Sequence, residues 1–303
     1  MENASNEMII DALIHGTNSI GLSSKQLEDD NLMKDVMLDM IQLYVEGNIP
    51  SQNGPQIHWK NKLYQSDSFS YNDDLFSAII KHQNKFGRVF HLDMAGFQES
   101  GLNPVDTLVM MLLQVKDVLD KGSHKGLTID ELSSKVELHL ASGYQYLVDI
   151  AMVRSCRFLY AKLLDAKGVE HNCSKLVHVS CHTSKGLQSP KDKYNNLLRG
   201  TTGSMSAVLG SCDSLCVTPF DFWWDQSKSG LRWARNTHHL LAEESLLNMV
   251  QDPMAGSYSI EQITNTIVKA AWEQFIQVQD GTDYWSYRDS KGFIDTLEKD
   301  KKS

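Results

Sequence analysis

The sequence has no Cys-x-x-Cys pair, no basic cluster inside the chain, and no apolar run near the roughly 20 residues that cross a bilayer. Each absence excludes something. The five cysteines, Cys156, Cys173, Cys181, Cys212 and Cys216, are odd in number and irregularly spaced. They fit neither a disulfide framework nor a structural zinc site. The net charge of -9 argues against non-specific nucleic-acid binding, because phosphate contacts need clustered Lys and Arg. The one basic run, Lys299 with Lys301 and Lys302, sits in a polar tail. The first residues carry no positive segment followed by an apolar core, so no signal peptide is expected and a reducing cytoplasm is the default location. No Gly-x-Gly-x-x-Gly follows a strand pattern, which leaves a dinucleotide-binding sheet without support.

What remains is a chain of 303 residues, 41% apolar and 22% charged, in the ordinary range for a globular protein. Helical and strand patterns alternate along it. Leu32, Val36, Met40 and Tyr44 recur every four residues and predict a helix over 27–46. A second helix is expected over 72–85. Asn103 as cap and Pro104 at the first turn open a third, 104–121, which ends at Gly122. Thr128 and Glu131 form a capping box for a short helix. Longer helices are expected at 145–166, 194–209, 231–250 and 259–278. Strand candidates are 18–22, 88–93, 136–141, 176–181 and 214–217, with a weaker one at 57–63. Strands alternating with such helices imply a parallel sheet, either a βα barrel or a doubly wound sheet. A closed barrel has eight strands, and five or six are counted here. The deficit is expected at the N-terminal end. The polar stretch 50–74 predicts a long loop, and residues 281–303 a polar tail, leaving 1–280 as one partial barrel domain.

Period-two alternation in Leu176-Val177-His178-Val179-Ser180-Cys181-His182 puts His178, Ser180 and His182 on one face. In a βα barrel that face looks inward, and His182, Thr183 and Ser184 stand at the C-terminal mouth where such barrels place their sites. The plainer alternative is that these groups satisfy one another's hydrogen bonds. The preceding strand places His91 and Asp93 on one face, with Asp93 near the mouth, either as a general base or held by a neighbouring backbone group. Arg199-Gly200-Thr201-Thr202-Gly203 lacks the ending of a phosphate loop and lies in a helical pattern, which favours close helix packing. His239 and Glu243 are one turn apart but have no third ligand in view. Phe222-Trp223-Trp224 suits core or interface packing.

Several motifs in order resemble the adenosylcobalamin-dependent acyl-CoA mutases, of which methylmalonyl-CoA mutase is the type. They are Gln98-Glu99-Ser100-Gly101, Tyr194-Asn195-Asn196-Leu197-Leu198-Arg199, Arg235-Asn236-Thr237, and Asp252-Pro253-Met254-Ala255-Gly256-Ser257-Tyr258. The resemblance covers roughly 93–281. It implies a (β/α)8 TIM-barrel α/β fold, here without the first strands and without a cobalamin-binding domain. It also marks Asp93, Gln98, Ser180, His182, Thr183 and Ser184 as substrate-pocket candidates.

Departures from the family pattern carry equal weight. The catalytic histidine position is Gly96. The family's His-x-Gln-Thr-Ser-Gly segment reads Ser180-Cys181-His182-Thr183-Ser184-Lys185. An Asp-Glu pair facing the adenosyl group reads Asp221-Phe222. The Asp-x-His-x-x-Gly cobalt-ligand motif does not occur. The resemblance therefore implies the small, non-catalytic subunit of a heterodimeric methylmalonyl-CoA mutase. Adenosylcobalamin would then be bound by the large catalytic partner, and no cofactor or metal by this chain. Two alternatives stand beside it: the catalytic barrel of a split mutase, if His91 or His182 reached the thioester carbonyl, and an independent barrel acting as a binding or scaffold protein.

Overall fold

The computed structural model describes residues 5–27, 29, 31–37, 41–46, 57–60, 77, 80–81, 87–224 and 227–290. The chain divides into two compact units, Met1–His91 with Ser134–Glu137, and Leu92–Ser133 with Leu138–Ser303.

The first unit contains α1 (Asn6–Ile14), β1 (Ser19–Ser23), α2 (Ser24–Leu27), β2 (Gln42–Glu46) and β3 (Ile57–Lys60). Ser5 caps α1 by accepting the Met8 N–H. The three strands form one parallel sheet in the order β1-β2-β3, with Ile20 opposite Leu43 and Leu43 opposite Ile57.

The second sheet has the order β4-β5-β6-β7, with β4 at Phe90–Asp93, β5 at Val136–Ser142, β6 at His178–Thr183 and β7 at Ser214–Cys216. β6 and β7 run parallel, with Ser180 opposite Ser214. Nearly every residue of β5 is buried, as expected of a strand covered on both faces. The remaining helices are α3 (Ala95–Glu99), α4 (Pro104–His124), α5 (Ile129–Ser133), α6 (Tyr146–Lys167), α7 (Asn195–Leu209), α8 (Lys228–His239), α9 (Tyr258–Val278) and α10 (Tyr284–Ser290).

Helix α4 begins at the expected cap, where Asn103 Oδ1 accepts the Asp106 N–H at 2.9 Å ahead of Pro104. Its stretch Leu108–Leu113 is apolar all round and fully buried, the pattern of a helix packed on every side. It packs against α6 and α9, and α6 packs against α7 and α9. The capping box at Thr128 forms as read, with Glu131 accepting from the Thr128 N–H at 2.8 Å and Thr128 accepting the Glu131 N–H at 3.2 Å. Gly168 takes a left-handed φ of 78° to end α6, the conformation glycine adopts at least cost.

Four expectations are corrected. The helix over 27–46 does not form: Asp35 has a φ of 62°, which no α-helix accommodates, and residues 42–46 are strand β2. The run Leu43-Tyr44-Val45 is buried at three successive positions, a pattern the four-residue spacing concealed. β6 starts two residues later than read, after a 3₁₀ turn at Asn172–Lys175 that leaves Leu176 exposed. The single helix over 231–250 is instead α8, capped at Ser227, followed by a π turn at Leu240–Glu244. With β2 the N-terminal region supplies three strands, so the described residues hold seven in two sheets. The fold is thus α/β with parallel sheets and mostly helices. The helix expected over 72–85 lies largely outside the described residues, as do residues 61–63 and most of the loop 50–74.

The polar segment after Asp280 also contains more than a tail. Asp283 accepts the Ser286 N–H at 2.7 Å and starts α10, which buries Tyr284, Trp285, Tyr287 and Arg288. The Tyr287 hydroxyl donates to the buried Asp106 carboxylate at 2.7 Å, beside Gln274 Nε2 at 2.8 Å. Tyr287→Phe removes one donor from that carboxylate and is expected to lower stability by about 1–3 kcal/mol. A urea midpoint equal to that of the wild type would contradict this.

Candidate functional site

The polar groups of the second unit converge where β4, β5 and β6 end. Three segments bring them together: helix α3, strand β5 with the turn after it, and the end of β6 with the turn after it. On β6, alternation works as read. His178, Ser180 and His182 share a face, while Val179 and Cys181 are buried on the other. His139 of β5 joins that face, its ring centroid 5.0 Å from that of His182 with the planes 19° apart.

A chain of hydrogen bonds runs through these residues. Ser180 Oγ lies 2.8 Å from His139 Nδ1, His139 Nε2 lies 2.9 Å from His182 Nδ1, and His182 Nε2 lies 3.1 Å from Glu99 Oε1. An ionised carboxylate only accepts. His182 therefore donates to it from Nε2. The Ser180 hydroxyl also reaches Leu138 O at 3.4 Å.

A second chain meets the same oxygen. Tyr144 Oη is 2.7 Å from Ser184 Oγ, and Ser184 Oγ donates to Glu99 Oε1 at 3.2 Å. The Gly186 N–H gives Ser184 Oγ a further donor at 3.2 Å, and the Lys185 N–H donates directly to Glu99 Oε1 at 3.2 Å. Burial pushes the Glu99 carboxyl up, but the His182 hydrogen bond and charge, the Lys185 N–H and Ser184 together carry it below the usual carboxylate value. Burial likewise raises the Tyr144 phenol, with the nearby Glu99 and Asp149 charges adding to the rise.

Among the sequence candidates, Ser180, His182 and Ser184 therefore meet in one network. Gln98 braces it, its Oε1 accepting the Ala141 N–H of β5 at 2.8 Å. Thr183 belongs elsewhere: its Oγ1 accepts the Thr218 N–H at 2.8 Å, which ties β6 to the segment after β7. Asp93 accepts the Ala95 N–H at 3.0 Å at the start of α3, the backbone role weighed above. His91 lies 3.5 Å from Glu137. Gly96 sits in α3, and a Cβ built there meets nothing within 4 Å. Among the described residues no group of three or more His, Cys, Asp or Glu is placed to hold a metal ion, His239 and Glu243 included.

Sequence reading missed His139, Glu99 and Tyr144 as site residues. The signal for His139 was present: alternation in Val136-Glu137-Leu138-His139-Leu140 gives β5 a polar face like that of β6. Glu99 had been noted only as part of a motif.

Asp149, in the first turn of α6, accepts the Gly143 N–H at 2.7 Å and holds the turn that carries Tyr144. Burial pushes its carboxyl up to about 6, against the opposing pull of the Gly143, Gln145 and Tyr144 N–H groups. The folded value lies above the unfolded one. Between about pH 4 and 6 the folded protein thus keeps a proton that the unfolded chain has released. Stability is fullest below that window and declines as pH rises through it, by up to about 3 kcal/mol in total. Asp149→Asn is expected to flatten this slope in urea unfolding measured across the window, and an unchanged slope would refute the assignment.

Comparison with known proteins places these features. A match to the family described as methylmalonyl-CoA mutase spans residues 60–282. The methylmalonyl-CoA mutase small subunit of Porphyromonas gingivalis is 34% identical over 195 residues, which is 64% of this chain and 32% of that protein. The mitochondrial methylmalonyl-CoA mutase of Bos taurus is 32% identical over 212 residues, covering 68% of this chain and 28% of that protein. The Rhizobium meliloti methylmalonyl-CoA mutase is 29% identical over 209 residues, covering 68% of this chain and 29% of that protein. The chain thus spans about a third of the length of the curated relatives it matches. No helix among the described residues is long and apolar enough to cross a membrane. With residues 60–282 of its 303 matched, the chain belongs to the methylmalonyl-CoA mutase family.

Proposed function

We propose that this chain is the small, non-catalytic subunit of a methylmalonyl-CoA mutase-type isomerase. It would use a barrel-type substrate domain to pair as a heterodimer, in the cytoplasm, with a large subunit that binds adenosylcobalamin and interconverts methylmalonyl-CoA and succinyl-CoA. The observation that carries this reading is the state of the polar groups at the strand ends. At Gly96 no side chain is present, although the space beside it is open. His139 and His182 are bonded to each other, and His182 also to Glu99. A group already holding two hydrogen bonds is poorly placed to polarise a thioester carbonyl, which needs a donor aimed at the developing charge.

The residues facing the mouth do not fit a corrin ring on this chain. Lys185 stands where the family has glycine, and its Nζ lies 5.1 Å from the centre of the Phe222 ring. Asp221 is buried and accepts from the Ser227 N–H at 3.0 Å. These observations support placing the cofactor, and the radical chemistry it supplies, on the partner. Tyr194, Leu198, Trp223 and Trp233 are exposed, and large apolar side chains of this kind support a partnered surface.

The test is co-expression with a mutase large subunit from the same source, followed by size-exclusion chromatography and a mutase assay with adenosylcobalamin. The expected result is a one-to-one complex whose turnover survives Glu99→Ala and His182→Ala in this chain. Failure to form any complex would overturn the reading, as would loss of turnover on either substitution in an intact complex.

A further inference from the structure

Two hydrogen-bonded chains meet at Glu99. Ser180, His139 and His182 are linked in turn, and His182 Nε2 meets the carboxylate. Tyr144 Oη is bonded to Ser184 Oγ, and Ser184 Oγ also donates to the same carboxylate oxygen, joined by the Lys185 N–H. Three donors therefore converge on the point occupied by Oε1, at 3.1, 3.2 and 3.2 Å.

All three belong to the end of β6 and the turn after it, whereas Glu99 comes from α3, more than eighty residues earlier. The donors are pre-set by their own partners and do not depend on Glu99 for position. His139 holds the His182 ring, Tyr144 and the Gly186 N–H hold the Ser184 hydroxyl, and the Ser184 N–H donates to Ser142 O at 2.9 Å. Glu99 is the member contributed from elsewhere in the chain. It is the last residue of a five-residue helix, and its side chain is 30% exposed beside a His182 that is 16% exposed.

We infer that the end of β6 is a carboxylate-binding niche, built from His182 Nε2, Ser184 Oγ and the Lys185 N–H, and closed in this chain by its own Glu99. The ligand class is a small monocarboxylate, of formate to acetate size, able to place one oxygen where Oε1 now lies. A tethered carboxylate competes at high effective concentration, so the native chain keeps the niche shut to free ligand. The inference concerns this chain alone and is independent of whether it pairs with a catalytic subunit.

The test uses the full chain with Glu99→Ala, titrated with sodium formate and sodium acetate against sodium chloride at matched ionic strength. Binding is followed by calorimetry and by the nitrogen resonances of labelled histidine. The expected result is saturable formate binding to E99A at about millimolar concentration, with the His182 Nε2 resonance moving most. The wild type should show no saturation in the same range, and the double variant Glu99→Ala/His182→Ala should lose the response. A folded E99A that responds equally to formate and chloride would overturn the niche. If E99A does not fold, the wild type decides. Formate at roughly a hundredfold higher concentration should displace Glu99 and move the His182 Nε2 resonance selectively, and a resonance unmoved relative to chloride would equally overturn it.

Discussion

Gly203→Val is expected to lower the stability of the second unit by about 3 kcal/mol, whereas Gly96→Ala is expected to leave it unchanged or raise it by up to about 1 kcal/mol. The two glycines differ in what surrounds them. A Cβ at Gly203 would lie 3.2 Å from Gly143 Cα, 3.3 Å from Ser142 O and 3.4 Å from Thr183 Cγ2. The first two are backbone atoms of the β5 turn, which cannot yield as a flexible side chain can. Helix α7 approaches the strand ends this closely only because the position carries no side chain. Valine would push α7 off the turn that receives the Ser184 N–H on Ser142 O at 2.9 Å. Gly96 has nothing within 4 Å of its built Cβ, so alanine there only reduces the freedom of the unfolded chain. Urea unfolding of both variants reads the difference. Hydrogen exchange at the Ser184 amide should speed up in Gly203→Val alone. A Gly203 variant as stable as the wild type would mean that this close approach does not hold the turn. Gly96→His should also fold, since the space is open.

How much of this was legible follows from what kind of signal each element sends. The strands β5 and β7 were read to within one residue, and β4 from two residues early, because apolar runs bounded by turns name themselves. β6 was read on the correct face but two residues early, since Leu176 continues the apolar pattern while lying 78% exposed. Strand β2 was hidden because Leu32, Val36, Met40 and Tyr44 happen to fall at helical spacing. Only Asp35, with its positive φ, shows that no helix can run through. At the candidate site, β6 gave up Ser180 and His182 by alternation, yet their partners could not be read the same way. Glu99 reaches His182 across a separation of 83 residues and His139 reaches it across 43. Pairings that distant depend on strand order, which local pattern does not encode. The family motifs pointed to this region, and the plainer alternative, that these groups satisfy one another's hydrogen bonds, describes the contacts they make.

The segment after Asp280 gives the prediction with the largest effect. Composition reads it as tail, because Asp280, Asp283, Arg288 and Asp289 outweigh a short aromatic run. Spacing reads it differently: Tyr284, Trp285, Tyr287 and Arg288 lie on adjoining faces of a single helix opened by Asp283. In α10 these four are 3%, 7%, 4% and 3% exposed. Tyr284 meets Phe97 edge-on at 6.4 Å, and the Arg288 guanidinium lies 4.7 Å from the Trp285 ring centre. Burying three aromatic side chains contributes roughly 2 kcal/mol each, and the Tyr287–Asp106 bond adds about 1–3 kcal/mol. Ending the chain at Asp283 would remove all of this and expose Phe97 together with the face of α4 that α10 covers. Against a typical net stability of about 5–15 kcal/mol, a loss on the order of 7 kcal/mol should leave the second unit unfolded or aggregating at physiological temperature. Trp285→Ala should give a graded, still-folded intermediate about 3 kcal/mol less stable. Urea unfolding of the soluble variants, with limited proteolysis of the truncated one, measures both. A truncated chain that stays soluble and keeps its midpoint would show that α10 rests on the unit without stabilising it. Midpoints falling in that order would place residues 284–290 within the folded unit and not in a tail.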